Sequence, residues 1–136
     1  MTIVFLRNAW RTPDGTVIES KNRWDYQQHV DAVTGETYFC DGMEFYIRTS
    51  INKVPAEDLC VTTEDPFDEQ RTYFMWTSWY DAGGERLDQP VRRPLKYLSK
   101  EHIQAILNTQ KHIKGTYVED LMLKELEYRK KIDGCN

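Results

Sequence analysis

The segment RTPDGTVIESK, residues 11–21, holds the residue types of a metal-dependent nuclease: Pro-Asp, then Glu-Ser-Lys. In that chemistry an Asp and a Glu carboxylate converge on one divalent cation, with a lysine beside them. Asp14 and Glu19 stand roughly 16 Å apart along an extended strand, at about 3.3 Å per residue. Nothing between Gly15 and Glu19 supplies a bend. Asp14 therefore reads as a turn residue, and Glu19 and Lys21 as the wet face of a strand. The nuclease reading gives way to a hairpin.

His29 and Asp31 share a face if they lie on a strand, as a general base and its orienting carboxylate would. No Ser or Cys nucleophile is tied to them by a motif, so both read as polar residues on a solvated sheet face. His102 falls at a helix start and His112 near a helix end, where an imidazole can bond free carbonyls. Cys40, Cys60 and Cys135 share no CxxC or His-rich spacing, which suits reduced thiols and offers no metal-ligand set. Glycine-rich phosphate loops and the GxSxG elbow are absent. No cofactor and no metal is expected, and binding is favoured over catalysis.

The most unusual stretch is YFMWTSWY, residues 73–80. As a strand it sends Phe74, Trp76 and Tyr80 to one side and Tyr73, Met75 and Trp79 to the other. Apolar residues on both sides mean a strand buried on both faces, or one face kept for a partner. Core is the default, with Trp76 inside it. The alternative is a binding surface made of Trp76, Trp79 and Tyr80 with Arg86, Arg92 and Arg93 from DAGGERLDQPVRRP, which reads as a long polar loop. Trp, Tyr and Arg dominate interface hot spots. Trp76, Trp79, Arg92 and Arg93 are also what would hold a nucleotide, by stacking and phosphate pairing. On the last helix Glu125 and Arg129 form an i,i+4 pair at the margin of the apolar stripe.

These residues need elements to position them. TIVFLRNAW, TVIES, WDYQQHVD and TYFCDG, separated by the turn signals TPDG and AVTGE, predict a four-stranded antiparallel meander. MEFYIRTSI fits helix or strand, and DLCVTT a short strand. Asp65 before Pro66 predicts a helix over PFDEQRTYF. Ser99 caps a helix whose Ile103, Ile106 and Leu107 share one face, and Gly115 ends it. Thr116 and Glu119 then form the capping box of a second helix. Its stripe runs Tyr117, Val118, Leu121, Met122, Tyr128 and Ile132, and Asp133 and Gly134 close it. The fold class is α+β: an antiparallel β part over 1–98 and a C-terminal helical hairpin over 99–136, in one domain.

The 136 residues carry a formal net charge of −4, which excludes a general nucleic-acid binder lacking a basic face. The charge is local: Glu57, Asp58, Glu64, Asp65, Asp68 and Glu69 form an acidic block, and Arg86, Arg92, Arg93, Lys96 and Lys100 a basic one. Such runs are usually solvated faces. MTIVFLRNAW has four consecutive apolar residues and no basic flank before them, so neither a signal peptide nor a membrane span is expected, and the cytoplasm is the expected compartment.

The segments LRNAWRTPDGTVIESKNRWDY, HVDAVTGETYFCDG, DLCVTTEDPFDEQR, LSKEHIQAILNTQ and KELEYR, with the region around Trp76, cover most of the chain. Together they resemble a family of short, uncharacterised accessory proteins of tailed bacteriophages. The resemblance implies a protein made in the cytoplasm of an infected bacterium that binds a host protein and redirects or inhibits it, in takeover or anti-defence. The alternative is a small nucleotide-binding protein that sequesters or cleaves a nucleotide signal, and a second copy of the chain is a further candidate partner.

Overall fold

In the computed structural model, which describes residues 2–133, the chain folds as two compact units, Met1–Gln70 and Arg71–Asn136. The architecture is α+β, with antiparallel sheets and, among the described residues, three α-helices.

The first unit opens on a hairpin, β1 (Phe5–Arg11) and β2 (Val17–Ser20), with Trp10 opposite Ile18. β3 (Tyr26–Val30) and β4 (Thr37–Met43) form a second hairpin, and β5 (Tyr46–Thr49) adds to β4. The expected four-stranded meander is thus two hairpins: β3 pairs with β4 and β5, not with β2. At the end of β2 the buried Ser20 hydroxyl lies 2.9 Å from the Asn22 carbonyl oxygen and 2.7 Å from that of Asp25, its one proton serving the turn that leads away from β2. MEFYIRTSI holds the end of β4, a turn at Glu44 and Phe45, and β5. DLCVTT yields two short strands, β6 (Glu57–Asp58) and β7 (Val61–Thr62), both paired with β1.

Alternation decides the core. Leu6 of β1, Ile18 of β2, and Tyr38 and Cys40 of β4 turn inward, each large, fully buried side chain contributing about 1.5–3 kcal/mol, while Ala9 is buried on the opposite face of β1. Asn8 is also fully buried, and its amide is spent on backbone: Nδ2 donates to the carbonyls of Asp41 and Gly42 at 3.1 and 3.0 Å.

α1 (Phe67–Tyr73) leads from the first unit into the second. Just before it, the Asp65 carboxylate accepts the Thr62 N–H at 2.6 Å. The second unit comprises β8 (Met75–Tyr80), β9 (Arg86–Pro94), α2 (Lys100–Thr109) and α3 (Tyr117–Asp133). The residues expected to form a loop, DAGGERLDQPVRRP, are instead a tight turn and a strand. Asp81 closes the turn, its Oδ1 accepting the N–H groups of Gly83 and Glu85 at 2.9 Å each. Two prolines and dense charge argued against a strand, yet each proline sits where no ladder bond is lost. Pro94 faces Met75 outside the bonded pairs, and Pro90 lies in the register shift opposite 78–80.

Ser99 caps α2, its Oγ accepting the His102 N–H at 3.1 Å, and Ile103 and Ile106 are buried. Gly115 takes φ +76 between α2 and α3. Thr116 Oγ accepts the Val118 N–H, while Glu119 accepts the Gly115 N–H at 2.9 Å, a capping box displaced by one residue. Gly115→Pro is expected to cost at least about 3 kcal/mol, because proline fixes φ near −65° and removes that donor. Thr116→Ala should cost about 1 kcal/mol. Unchanged urea midpoints in both variants would refute this junction.

Leu121 and Met122 carry α3's buried face, whereas Ile132, placed in the stripe by spacing, is 63% exposed. Gly134 and Cys135 lie outside the described residues. Among the described residues no helix is long and apolar enough to cross a membrane.

Candidate functional site

The hairpin of β8 and β9 gathers all six residues singled out as a binding surface. Trp76 lies opposite Arg93, Thr77 opposite Arg92, and Tyr80 opposite Arg86. Burial divides the aromatic run by position. Phe74 is core and packs edge-on to Tyr117 at 6.2 Å, and Trp76 is half-buried. Trp79 and Tyr80 are 43% and 48% exposed. The run is neither all core nor all surface; it leaves the core as it approaches the turn.

Arg86 lies over both exposed rings, its guanidinium carbon 4.9 Å from the Trp79 centroid and 5.5 Å from that of Tyr80. Arg92 and Arg93 are exposed on opposite faces of β9. The four residues expected to hold a nucleotide are therefore split. Trp76 and Arg93 face one cleft of about 260 Å³, with Val91, Tyr97 and His102 among its walls. Arg92 shares the other face with Thr77. Burial, and then the charge of Arg93, hold the His102 imidazole below its usual range, so it is neutral at pH 7. A second hollow of about 570 Å³ runs between β8 and Ala105, Ile106 and Thr109 of α2, with Gln110 just after the helix.

The chain has nine arginines. Six pair with carboxylates: Arg7 with Glu19, Arg11 with Glu57, Arg23 with Glu44, Arg48 with Asp41, and Arg71 and Arg129 both with Glu125. Among the described residues, Arg86, Arg92 and Arg93 have no carboxylate partner. All three are on β9. The sequence shows their clustering; their lack of partners requires knowing where the carboxylates go.

The other candidates resolve into structure. Asp31 is fully buried, not on a wet face. Its Oδ1 accepts the Asp14 N–H at 2.8 Å, and its Oδ2 those of Val33 and Thr34. Burial raises its pKa, but the N–H groups of Asp14 and Thr34 outweigh that and lower it overall. His29 pairs with Asp14 rather than with Asp31, Nε2 to Oδ2 at 2.8 Å. Asp14 also accepts from Thr12, Thr16 and Ala32; the Ala32 N–H leads the interactions that hold its carboxyl well below the usual range. Asp14, His29 and Asp31 bring one ligand atom each within 4.8 Å of one another. Their oxygens are already occupied by turn N–H groups, so they lock two hairpin turns together. Glu19, the other half of the nuclease pattern, lies 3.6 Å from Arg7.

Burial pushes the Cys40 thiol up to about 11 and the Cys60 thiol up to about 12. Both stay protonated at neutral pH and are poor nucleophiles. Glu125 and Arg129 are not at the stripe's margin: Glu125 is fully buried, and Arg71 from α1 joins the pair. With the geometry of this hairpin in view, neither a protein family, nor a curated protein, nor a solved structure matches the chain.

Proposed function

We propose that this chain is a phage-encoded, non-enzymatic accessory protein that binds and modulates a host protein in the cytoplasm of the infected bacterium, in takeover or anti-defence. The phage setting rests on the sequence resemblance. The binding reading rests on one observation: three arginines without carboxylate partners stand on one strand, beside an exposed Trp and Tyr. Elsewhere this protein neutralises its guanidinium groups internally. Cations left without carboxylates on β9 gain partners when an acidic surface docks. Exposed Trp79 and Tyr80 supply the apolar centre that such a contact needs. The unit that carries them holds 12 Lys and Arg against 9 Asp and Glu, in a chain whose net charge is −4.

The test is capture of a host protein by the immobilised full chain, compared with the Arg92→Ala, Arg93→Ala double variant. Capture is expected to weaken at least tenfold and to fall with added salt. Stability should change by no more than about 0.5 kcal/mol, since both side chains are exposed. Equal capture by both proteins would refute the assignment.

A second reading, a nucleotide-sequestering protein, is favoured by Trp76 and Arg93 facing one cleft beside the capped start of α2. A nucleotide at a hundred times its Kd would stabilise the fold by about 2.7 kcal/mol, which a thermal-shift panel detects.

A further inference from the structure

We propose that the hairpin binds its partner by strand addition: an extended, acidic segment of the partner pairs with the free edge of β8, in the trough bounded by α2. This rests on the protein-binding reading above and names its mode.

The ladder itself identifies the open edge. Leu95 donates its N–H to the Phe74 carbonyl at 2.9 Å, so Phe74 and Leu95 are a bonded pair. Bonded pairs alternate along an antiparallel ladder. Trp76 with Arg93 and Ser78 with Val91 are therefore bonded, while Met75 with Pro94 and Thr77 with Arg92 lie between them. Residues of the intervening pairs direct their N–H and C=O groups away from the partner strand. Met75 and Thr77 thus present theirs along the outer edge of β8. Among the described residues no main-chain bond from another element reaches them.

Two-stranded sheets have two edges, and these two differ. The β9 edge is closed by known devices: Pro94 has no N–H, Arg92 is charged, and Pro90 sits in the register shift. β8 is MWTSWY, with no charge and no proline. Toward the turn its edge is capped, because Ser78 Oγ accepts the Tyr80 N–H at 3.1 Å and donates to the Tyr80 carbonyl at 2.7 Å. The open part is the stretch at Met75 and Thr77.

The trough meets this edge at Thr77 and continues past the turn residues Asp81 to Gly84, with Met75 just beyond its end. Consecutive strand residues alternate faces, yet Trp76, Thr77, Ser78, Trp79 and Tyr80 all border the hollow of about 570 Å³. Only a hollow along the edge touches all of them. Its far wall is helical, with Ala105 small and Thr109 short. The hollow's own carboxylate, Asp81, is taken up by the Gly83 and Glu85 N–H groups, and the charge that selects the occupant stands on the sheet beside the hollow. Arg92 shares a face with Thr77, whose short side chain lets the guanidinium reach a strand added about 4.8 Å beyond β8. Arg86, over Trp79 and Tyr80, stands at the other end. An occupant alternating acidic and apolar residues satisfies both faces.

The probe is a labelled, end-blocked peptide, Glu-Val-Glu-Val-Glu-Val-Glu, with a Lys-for-Glu counterpart, titrated into the full chain. Expected are a Kd at least tenfold lower for the acidic peptide, and amide exchange slowed at least tenfold at Met75 and Thr77 in the complex. Thr77→Pro removes an N–H that β9 does not use, so the hairpin should persist while Kd rises at least tenfold. Absence of binding up to millimolar peptide overturns the proposal. So does binding that leaves the Met75 and Thr77 amides unprotected, a wild-type result independent of how the proline variant folds. Concentration-dependent dimerisation that Thr77→Pro abolishes overturns it in favour of a second copy. If folded Thr77→Pro still captures the host protein that the Arg92, Arg93 variant has lost, strand addition fails and the protein-binding reading stands. If wild type captures no host protein, that reading itself falls.

Discussion

Glu125→Ala is expected to destabilise the second unit by about 3–5 kcal/mol, the usual result of removing one member of a buried ion pair. Glu125 is fully buried on α3 and makes both of its oxygens work. Arg71 meets it as a fork, Nε and Nη2 each 2.8 Å from one carboxylate oxygen. Arg129, one turn further along α3, donates through Nε at 2.6 Å. The same guanidinium donates through Nη2 to the Leu98 carbonyl at 2.6 Å, at the 3-10 turn that feeds α2. One carboxylate thus aims two cations, and one of those cations satisfies backbone oxygens that have no helical partner. Alanine leaves two partly buried guanidinium groups facing each other across a void. Loss of the helical unfolding transition at lower urea, with faster amide exchange along α3, is the expected observation. Glu125→Leu combined with Arg71→Met should recover part of the loss, because it also removes a desolvated charge. A midpoint unchanged in Glu125→Ala would show that the triad contributes nothing.

That triad also marks the limit of what the sequence discloses. Glu125 and Arg129 were visible as an i,i+4 pair, but their burial was not, because nothing local places Arg71 beside them from 54 positions away. Local signals served well where local physics decides. TPDG and AVTGE turned their hairpins, and Ser99 capped α2. They failed at β9, where prolines and charges that argue for a loop occupy positions a strand edge tolerates. Asp31 was misplaced for a related reason. Spacing put it on a sheet face, while three turn N–H groups drew its carboxylate inside. The site residues were legible as types, since Trp79, Tyr80 and Arg86 are close in sequence. What distinguishes them, guanidinium groups with no carboxylate, depends on where 22 acidic residues lie in space.

In the first unit the largest single-residue effect is expected at Gly42. It takes φ +91, and a Cβ built there would stand 2.3 Å from the Tyr46 carbonyl oxygen and 3.2 Å from the Ile47 Cα. Both are backbone atoms of β5, so no side-chain rotation relieves the clash. The backbone cannot retreat freely either. Asn8 Nδ2 holds the Gly42 carbonyl at 3.0 Å, and Asn8 is itself fixed by Trp10, whose Nε1–H donates to Oδ1 at 2.8 Å. Moving Gly42 would leave the buried Asn8 amide short of an acceptor, a loss of about 1–3 kcal/mol in itself. The left-handed backbone adds about 1–2 kcal/mol for an L-residue, and overpacking about 1–3 kcal/mol. Gly42→Ala should therefore cost at least about 3 kcal/mol. Gly115→Ala supplies the control: its φ is also positive, but its Cβ meets nothing within 4 Å, so only the backbone cost applies. Urea unfolding of the two variants should separate them by about 2 kcal/mol or more. Equal losses would show that β4 and β5 yield to the methyl group, and that the Asn8 contacts do not pin them.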